Sequence, residues 1–176
     1  LAAVGYLAIC ILSAVFYDKN GNLLWTCPIG SSGHTKIHDI ALLKDGSIIA
    51  VGESTAKDLG FTPDATYEAI VAKVSSAGKL SWVKNFGGSS TEYFKCVTAT
   101  PDGGFAAAGR FSAADGDFAS LALKGLTPVF VKFDANGNIK WFNSFNGSGA
   151  DAVNEETLAV LLSQLTHGVD RVDHAG

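Results

Sequence analysis

Apolar positions along this chain fall into short runs, each closed by a glycine-containing turn. Ile37–Leu43 is one such run, followed by Lys44-Asp45-Gly46 and then by Ser47–Glu53. After a longer polar stretch come Glu68–Ser75, the dipeptide Ala77-Gly78, and Lys79–Asn85. The same order returns as Phe94–Thr100, Pro101-Asp102-Gly103, Gly104–Phe111, a second long variable stretch, Thr127–Asp134, Asn136-Gly137 and Asn138–Ser144. Runs of this length bounded by Asp-Gly and Asn-Gly predict strands joined by hairpins, because those glycines supply the positive φ that tight turns require. Ile48, Ile49, Ala50 and Val51 are apolar at consecutive positions, which predicts a strand covered on both faces. Ala106-Ala107-Ala108 stands there in the later copy, where small side chains suit a place at which neighbouring sheets converge.

The pattern is a repeat. Val15–Trp25, Ala72–Trp82 and Val131–Trp141 align, so the three tryptophans are spaced 57 and 59 residues apart (Trp25 to Trp82, Trp82 to Trp141). Periods of this size mean stacked units, none able to bury its own faces alone. Four antiparallel strands per unit, stacked face to face, describe the blade of a β-propeller. The expectation is an all-β chain of about three four-stranded blades in an incomplete ring, with blades at 1–28, 29–86 and 87–146 inside a repeat region 1–152. Each repeated tryptophan is expected to be mostly buried, wedged between adjacent blades.

The residues that carry the repeat also carry a likeness. Gly87-Gly88-Ser89-Ser90 with Tyr93, Asp102-Gly103-Gly104-Phe105 with Gly109, and Val131-Lys132-Phe133-Asp134-x-Asn136-Gly137-Asn138-Ile139-x-Trp141 together resemble the bacterial secreted β-propeller repeat of the SBBP type. The resemblance covers roughly residues 1–152 and speaks to fold more than to activity. It implies an exported or surface-displayed bacterial protein, secreted or held at the cell surface.

Two segments stand outside the plain repeat. Leu1–Tyr17 contains no charge and, read alone, looks like a signal-peptide core or membrane segment. It aligns instead with the repeat, Leu1–Gly5 on Phe105–Gly109 and Leu12–Tyr17 on Pro128–Phe133, so the first blade is expected to lack its first strand and to carry a shortened loop. After Asp151 the strand pattern stops. Asn154 as N-cap, Glu155 and Glu156 in the first turn, Leu158, Leu161, Leu162 and Leu165 on one face and Gly168 at the end predict a short C-terminal helix over 153–168, with a tail at 169–176.

Composition narrows the function classes without choosing one. Charged residues make up 17% of the chain and the net charge is −4, with no basic stripe, which argues against nucleic acid as a partner. No span long enough for a membrane helix is expected once 1–17 is assigned to the repeat. Cys10, Cys27 and Cys96 have no metal-ligand spacing, and three cysteines cannot form a complete internal disulfide set, so free core thiols are expected.

Nucleophile elbows, Walker loops and His-Glu-x-x-His are all absent. Asp18–Asn22 and Asp134–Asn138 faintly resemble a calcium loop, but glycine falls at the fourth position and Ile29 and Phe145 at the twelfth, so turn chemistry is the better reading. Asp115 and Asp117, two carboxylates at i and i+2 in a variable loop, are the one pair with the spacing to take calcium together with backbone oxygens; otherwise no cofactor or metal is expected. In a repeat protein, function resides in the copy-specific loops, which makes Asp58, Tyr67, Arg110, Asp115, Asp117 and Phe118 the candidate ligand-binding residues. His34 and His38 are four apart in a loop-to-strand stretch, where that spacing does not make a metal pair.

The function these features predict is a non-catalytic binding, adhesion or scaffold module with a protein or glycan partner. The alternative is a fragment of a quinone-dependent dehydrogenase-like propeller, whose calcium ligands and catalytic aspartate have no evident counterpart here. An open stack of three blades should also expose its end faces, Ile9, Ile11, Val15 and Leu24 at one end and Val129, Val131 and Ile139 at the other. The chain is therefore expected to be part of a longer propeller or to self-associate.

Overall fold

The computed structural model describes residues 2–7, 11–29, 33–56, 67–144 and Val160, with the backbone alone for 2–7 and 11–13. Eleven strands and one short 3-10 helix occupy this range: β1 (Ala2–Leu7), β2 (Ile11–Tyr17), β3 (Leu23–Pro28), β4 (Thr35–Leu42), β5 (Ile48–Ser54), β6 (Glu68–Val74), β7 (Leu80–Phe86), β8 (Tyr93–Ala99), β9 (Phe105–Phe111), the 3-10 helix Gly116–Leu121, β10 (Thr127–Phe133) and β11 (Ile139–Ser144). They form three antiparallel meanders, β1-β2-β3, β4-β5-β6-β7 and β8-β9-β10-β11. The first sheet has three strands, as the alignment of its opening residues predicts. The C-terminal helix expected over 153–168 lies outside the described residues except for Val160, which is helical and exposed. The 3-10 turn in the third unit was not foreseen: Gly116 and Ala122, both at positive φ, bracket it and confine it to a few residues.

The second and third sheets share their irregularities as well as their order. β4 carries a bulge between Ile37 and Asp39, and β8 carries one between Phe94 and Cys96. Opposite each stands a glycine of the neighbouring strand, Gly52 or Gly109, where a Cβ would run into the carbonyl oxygen of Lys36 or Tyr93. The bulge thus needs both an extra residue on the edge strand and the absence of a side chain on its partner. The hairpin turns are held by their own polar side chains. Asp18 accepts the amides of Asn20 and Asn22, both at 2.8 Å. Asp134 accepts those of Asn136 and Asn138 at 2.8 and 2.9 Å. These carboxylates serve as turn locks, which lower the pKa of each through the bonds to Asn22 and Asn138.

Burial shows which faces meet. Ile49, Val51, Ala69 and Val71 of the second sheet pack against Phe94, Phe105, Ala107, Phe111, Val129, Val131 and Phe133 of the third. Ala14 and Cys27 of the first sheet meet Ala50, Ala72 and Val74 from the other side. Consecutive residues of β5 and β6 therefore serve two different cores, which is why these strands read as unbroken apolar runs. Val129 and Val131, expected at an open end, are instead fully buried between the second and third sheets. Alternation along β10 sends them inward and turns Phe130 and Lys132 the other way. At the other end Leu24 is exposed and Val15 half-buried, Ile11 is described in its backbone only, and Ile9 lies outside the described residues. Cys27 and Cys96 are buried and joined in no disulfide among the described residues; Cys10 is outside the described residues.

The first two repeated tryptophans bridge sheets, while the third is more exposed than predicted. A Cβ placed on Gly78 would lie 2.5 Å from Cγ of Trp25, and one on Gly137 would lie 2.7 Å from Cη2 of Trp82. Each indole thus lies over the glycine turn of the following sheet. Trp25 and Trp82 are partly covered, and Trp141 is 38% exposed. An outer strand gives the ring one neighbouring sheet to rest on and leaves its other side to solvent.

Candidate functional site

The start of β4 and β8 and the end of β5 and β9 bring a group of polar side chains to one edge of the second and third sheets. Lys36 pairs with Glu53 across β4 and β5, and Tyr93 pairs with Arg110 across β8 and β9. The bulge residues of β4 and β8 are His38 and Lys95. Bulges re-aim side chains, and here the His38 ring lies 5.8 Å from the Tyr93 ring of the next sheet. His34 meets Tyr67 edge-on at 6.1 Å close by in sequence to the same strand start. Tyr93 is the common neighbour, its ring near His38 across the sheet boundary and its backbone paired with Arg110 within its own sheet.

The charges of this edge are unevenly satisfied. Nε2 of His38 is 3.8 Å from Glu53 Oε2, on a side chain only 8% exposed. Burial lowers the His38 pKa; Glu53 opposes that shift, and Lys95 and Lys36 add to it. Among the described residues, His38 Nε2 and Arg110 Nε are buried nitrogens with no hydrogen-bond partner. Lys36 and Lys95 are exposed. Lys36, Lys95 and Glu53 thus act on His38 at this edge, while Arg110 stands opposite Tyr93 on the face that Ala106 and Ala108 share.

The candidates from sequence separate into different roles. Arg110 belongs to this edge. Tyr67 stands beside it, half-buried against His34, and its backbone pairs with Thr91. Asp115 and Asp117 work together on the strand-to-strand loop preceding β8: Asp115 Oδ1 accepts the Ser89 amide at 2.9 Å, and Asp117 Oδ2 accepts the Gly87 amide at 3.0 Å. The bond to Ser89 lowers the Asp115 pKa. Phe118 is 1% exposed and packs edge-to-face on Phe111 at 4.6 Å and Phe142 at 5.1 Å, so it plugs the core beneath that loop. Asp58 lies outside the described residues.

Two contributors were missed. His38 was weighed only as half of a metal pair, because nothing in the sequence marks the bulge that turns it toward Tyr93. Glu92, fully buried, accepts the Ala113 amide at 3.0 Å, and burial raises its pKa above the usual carboxylate value. Its only sequence signal is a lone charge between two otherwise repeated stretches. Among the described residues no three His, Cys, Asp or Glu side chains are grouped so as to hold a metal ion. No helix among them is long and apolar enough to cross a membrane.

Compared with known proteins, the chain matches no protein-family model. No curated protein matches it either.

Proposed function

We propose that this chain is a non-catalytic binding or adhesion module of an exported protein, its three sheets being blades of a β-propeller, and that it takes an anionic ligand at the edge around Arg110. The observation that carries this reading is how the two full units differ. Their equivalent positions agree where structure needs them: the bulges, Gly52 and Gly109, and the tryptophans. They diverge at the edge, where Lys36, His38 and Glu53 of one unit become Tyr93, Lys95 and Arg110 of the next. Divergence at an edge of a frame whose bulges and turns are kept is one way repeat proteins carry function.

The chemistry of the edge favours anions. Lys36, Lys95 and Arg110 outnumber Glu53, and the unpaired Arg110 Nε is a donor awaiting an acceptor. Tyr93 offers a flat apolar surface beside them, the combination that suits an acidic sugar. The blade reading is supported by same-edge packing: inner strand β8 lies along inner strand β4, as sheets do when they converge on an axis.

Dextran sulfate and neutral dextran of matched size test the proposal in equilibrium binding. The sulfated polymer should bind, weaken as salt rises, and lose most of its affinity to the variant combining Lys36→Glu, Lys95→Glu and Arg110→Ala. Equal binding of both polymers, none of either, or an unchanged variant would overturn it.

A further inference from the structure

We propose that the outer face of the first sheet docks the third sheet of a second copy of this chain, Trp141 of one copy seating on the Asn20-Gly21 turn of the other. This does not rest on the ligand reading above. The joint already exists twice inside the chain. Trp25 covers Gly78 of the second sheet, and Trp82 covers Gly137 of the third. Lys84 strengthens the second joint, donating to the carbonyls of Asn136 at 2.8 Å and Gly137 at 3.0 Å and to Oδ1 of Asn138 at 3.1 Å.

Among the described residues, half of the same joint is unfilled at the first sheet and the other half at the third. The turn at Asp18–Asn22 is built like that at Asp134–Asn138, with the same aspartate lock and a glycine at φ +85 where Gly137 has +72. Yet nothing among the described residues lies within 4 Å of the Cβ position of Gly21. Around it, Val15, Tyr17 and Leu23 hold the positions of Val131, Phe133 and Ile139. In the third sheet Val131 and Phe133 are fully buried and Ile139 packs on the core. In the first, Val15 and Tyr17 are half-buried and Leu23 is 56% exposed.

At the far end the matching knob is Trp141, 38% exposed and leaning on Phe130 at 5.4 Å. The inner part of that face, Cys96, Ala106, Ala108 and Phe130, is already buried within the chain. The new contact therefore runs through β11 and its tryptophan, with Asn143 standing where Lys84 stands in the second sheet. Knob and socket are different surfaces on opposite ends, so copies join head to tail.

Sedimentation velocity over a range of concentrations, with a complementation arm, tests this. The 176-residue chain should associate as concentration rises. Trp141→Ala, which removes the knob, and Leu23→Asp, which charges the socket, should each weaken association at least about tenfold. Both positions are exposed, and unchanged far-UV circular dichroism would show that the folds survive; Trp141→Ser and Leu23→Lys give a second pair. Mixing the two variants should restore dimers and nothing larger, because one intact joint remains per pair. A chain that stays monomeric throughout would overturn the proposal and leave a further repeat of a longer polypeptide as the occupant of this face. So would association indifferent to both substitutions, or a mixture that fails to recover.

Discussion

The Asp39 carboxylate accepts the Val97 amide of the next sheet at 2.7 Å. Its other oxygen holds the Ile40 amide at 2.8 Å. β8 is an edge strand of its sheet, and edge amides left unpaired are costly when buried and prone to foreign pairing when exposed. A carboxylate brought to that edge by the β4 bulge answers both problems and ties the two edge strands β4 and β8 together. In the third sheet the same position is Cys96, a buried thiol with no carboxylate to offer an edge amide.

Asp39→Ala should therefore cost about 1–3 kcal/mol, the penalty for stranding amides at a buried boundary. Asp39→Asn keeps one acceptor oxygen and should recover part of the loss. Urea unfolding monitored by tryptophan fluorescence checks both. Equal stability of Asp39→Ala and the parent would show that the Val97 amide finds another partner.

The tryptophan joint separates two effects of one substitution. Gly21, Gly78 and Gly137 all sit at positive φ, so alanine at any of them pays about 1–2 kcal/mol of backbone strain. At Gly137 the methyl group also meets Trp82, which should add about 1–3 kcal/mol of overpacking. Gly137→Ala is thus expected to be clearly worse than Gly21→Ala in thermal melts of dilute protein. The excess should shrink in a Trp82→Ala background.

The strands were legible because two periodic signals agreed: apolar runs of fixed length and a glycine turn after each. Every strand of the second and third sheets falls within a residue or two of where Ile37–Leu43, Phe94–Thr100 and their successors put it. The direction of side chains was less legible. Val129 and Val131 look the same as Phe130 to a reading by composition, and only the register with β9 shows which of them face the second sheet. The candidate site was harder still. Asp115, Asp117 and Phe118 were recognisable as copy-specific, but whether a loop residue binds a ligand, a backbone amide or the core depends on contacts distant in sequence, such as Asp117 to Gly87. His38 depends on a bulge that no residue pattern announces.

Phe118 and Arg110 should part company under mutation. Phe118→Ala removes a ring buried among Phe111, Phe142 and the core between sheets, and should cost about 3–5 kcal/mol. Arg110→Ala removes a half-buried side chain whose Nε has no partner, and should change stability by less than about 1 kcal/mol. Chemical denaturation of the two single variants decides this. A large loss at Arg110 would mean that its guanidinium is structural and that the binding edge must be sought elsewhere.

His38 gives the pH dependence its sign. Burial, with Lys95 and Lys36 nearby, pulls its pKa below the ordinary 6.5, against the pull of Glu53. The folded protein then resists protonation of a group that the unfolded chain protonates readily. Stability tied to neutral His38 is fully present above about pH 6.5 and is lost as pH falls through the lower folded value. Glu92 acts in the opposite sense, because burial raises its pKa and its contribution is lost as pH rises through that value. Asp102, held down to about 2 by Thr100 and Lys132, loses its contribution only in strongly acid solution. The difference between the parent and His38→Gln isolates the histidine from these carboxylates. Unfolding free energies measured from pH 8 down to about pH 5 should fall more steeply in the parent than in His38→Gln. Parallel curves would show that His38 titrates alike in both states, which its burial beside Tyr93 and the two lysines does not allow.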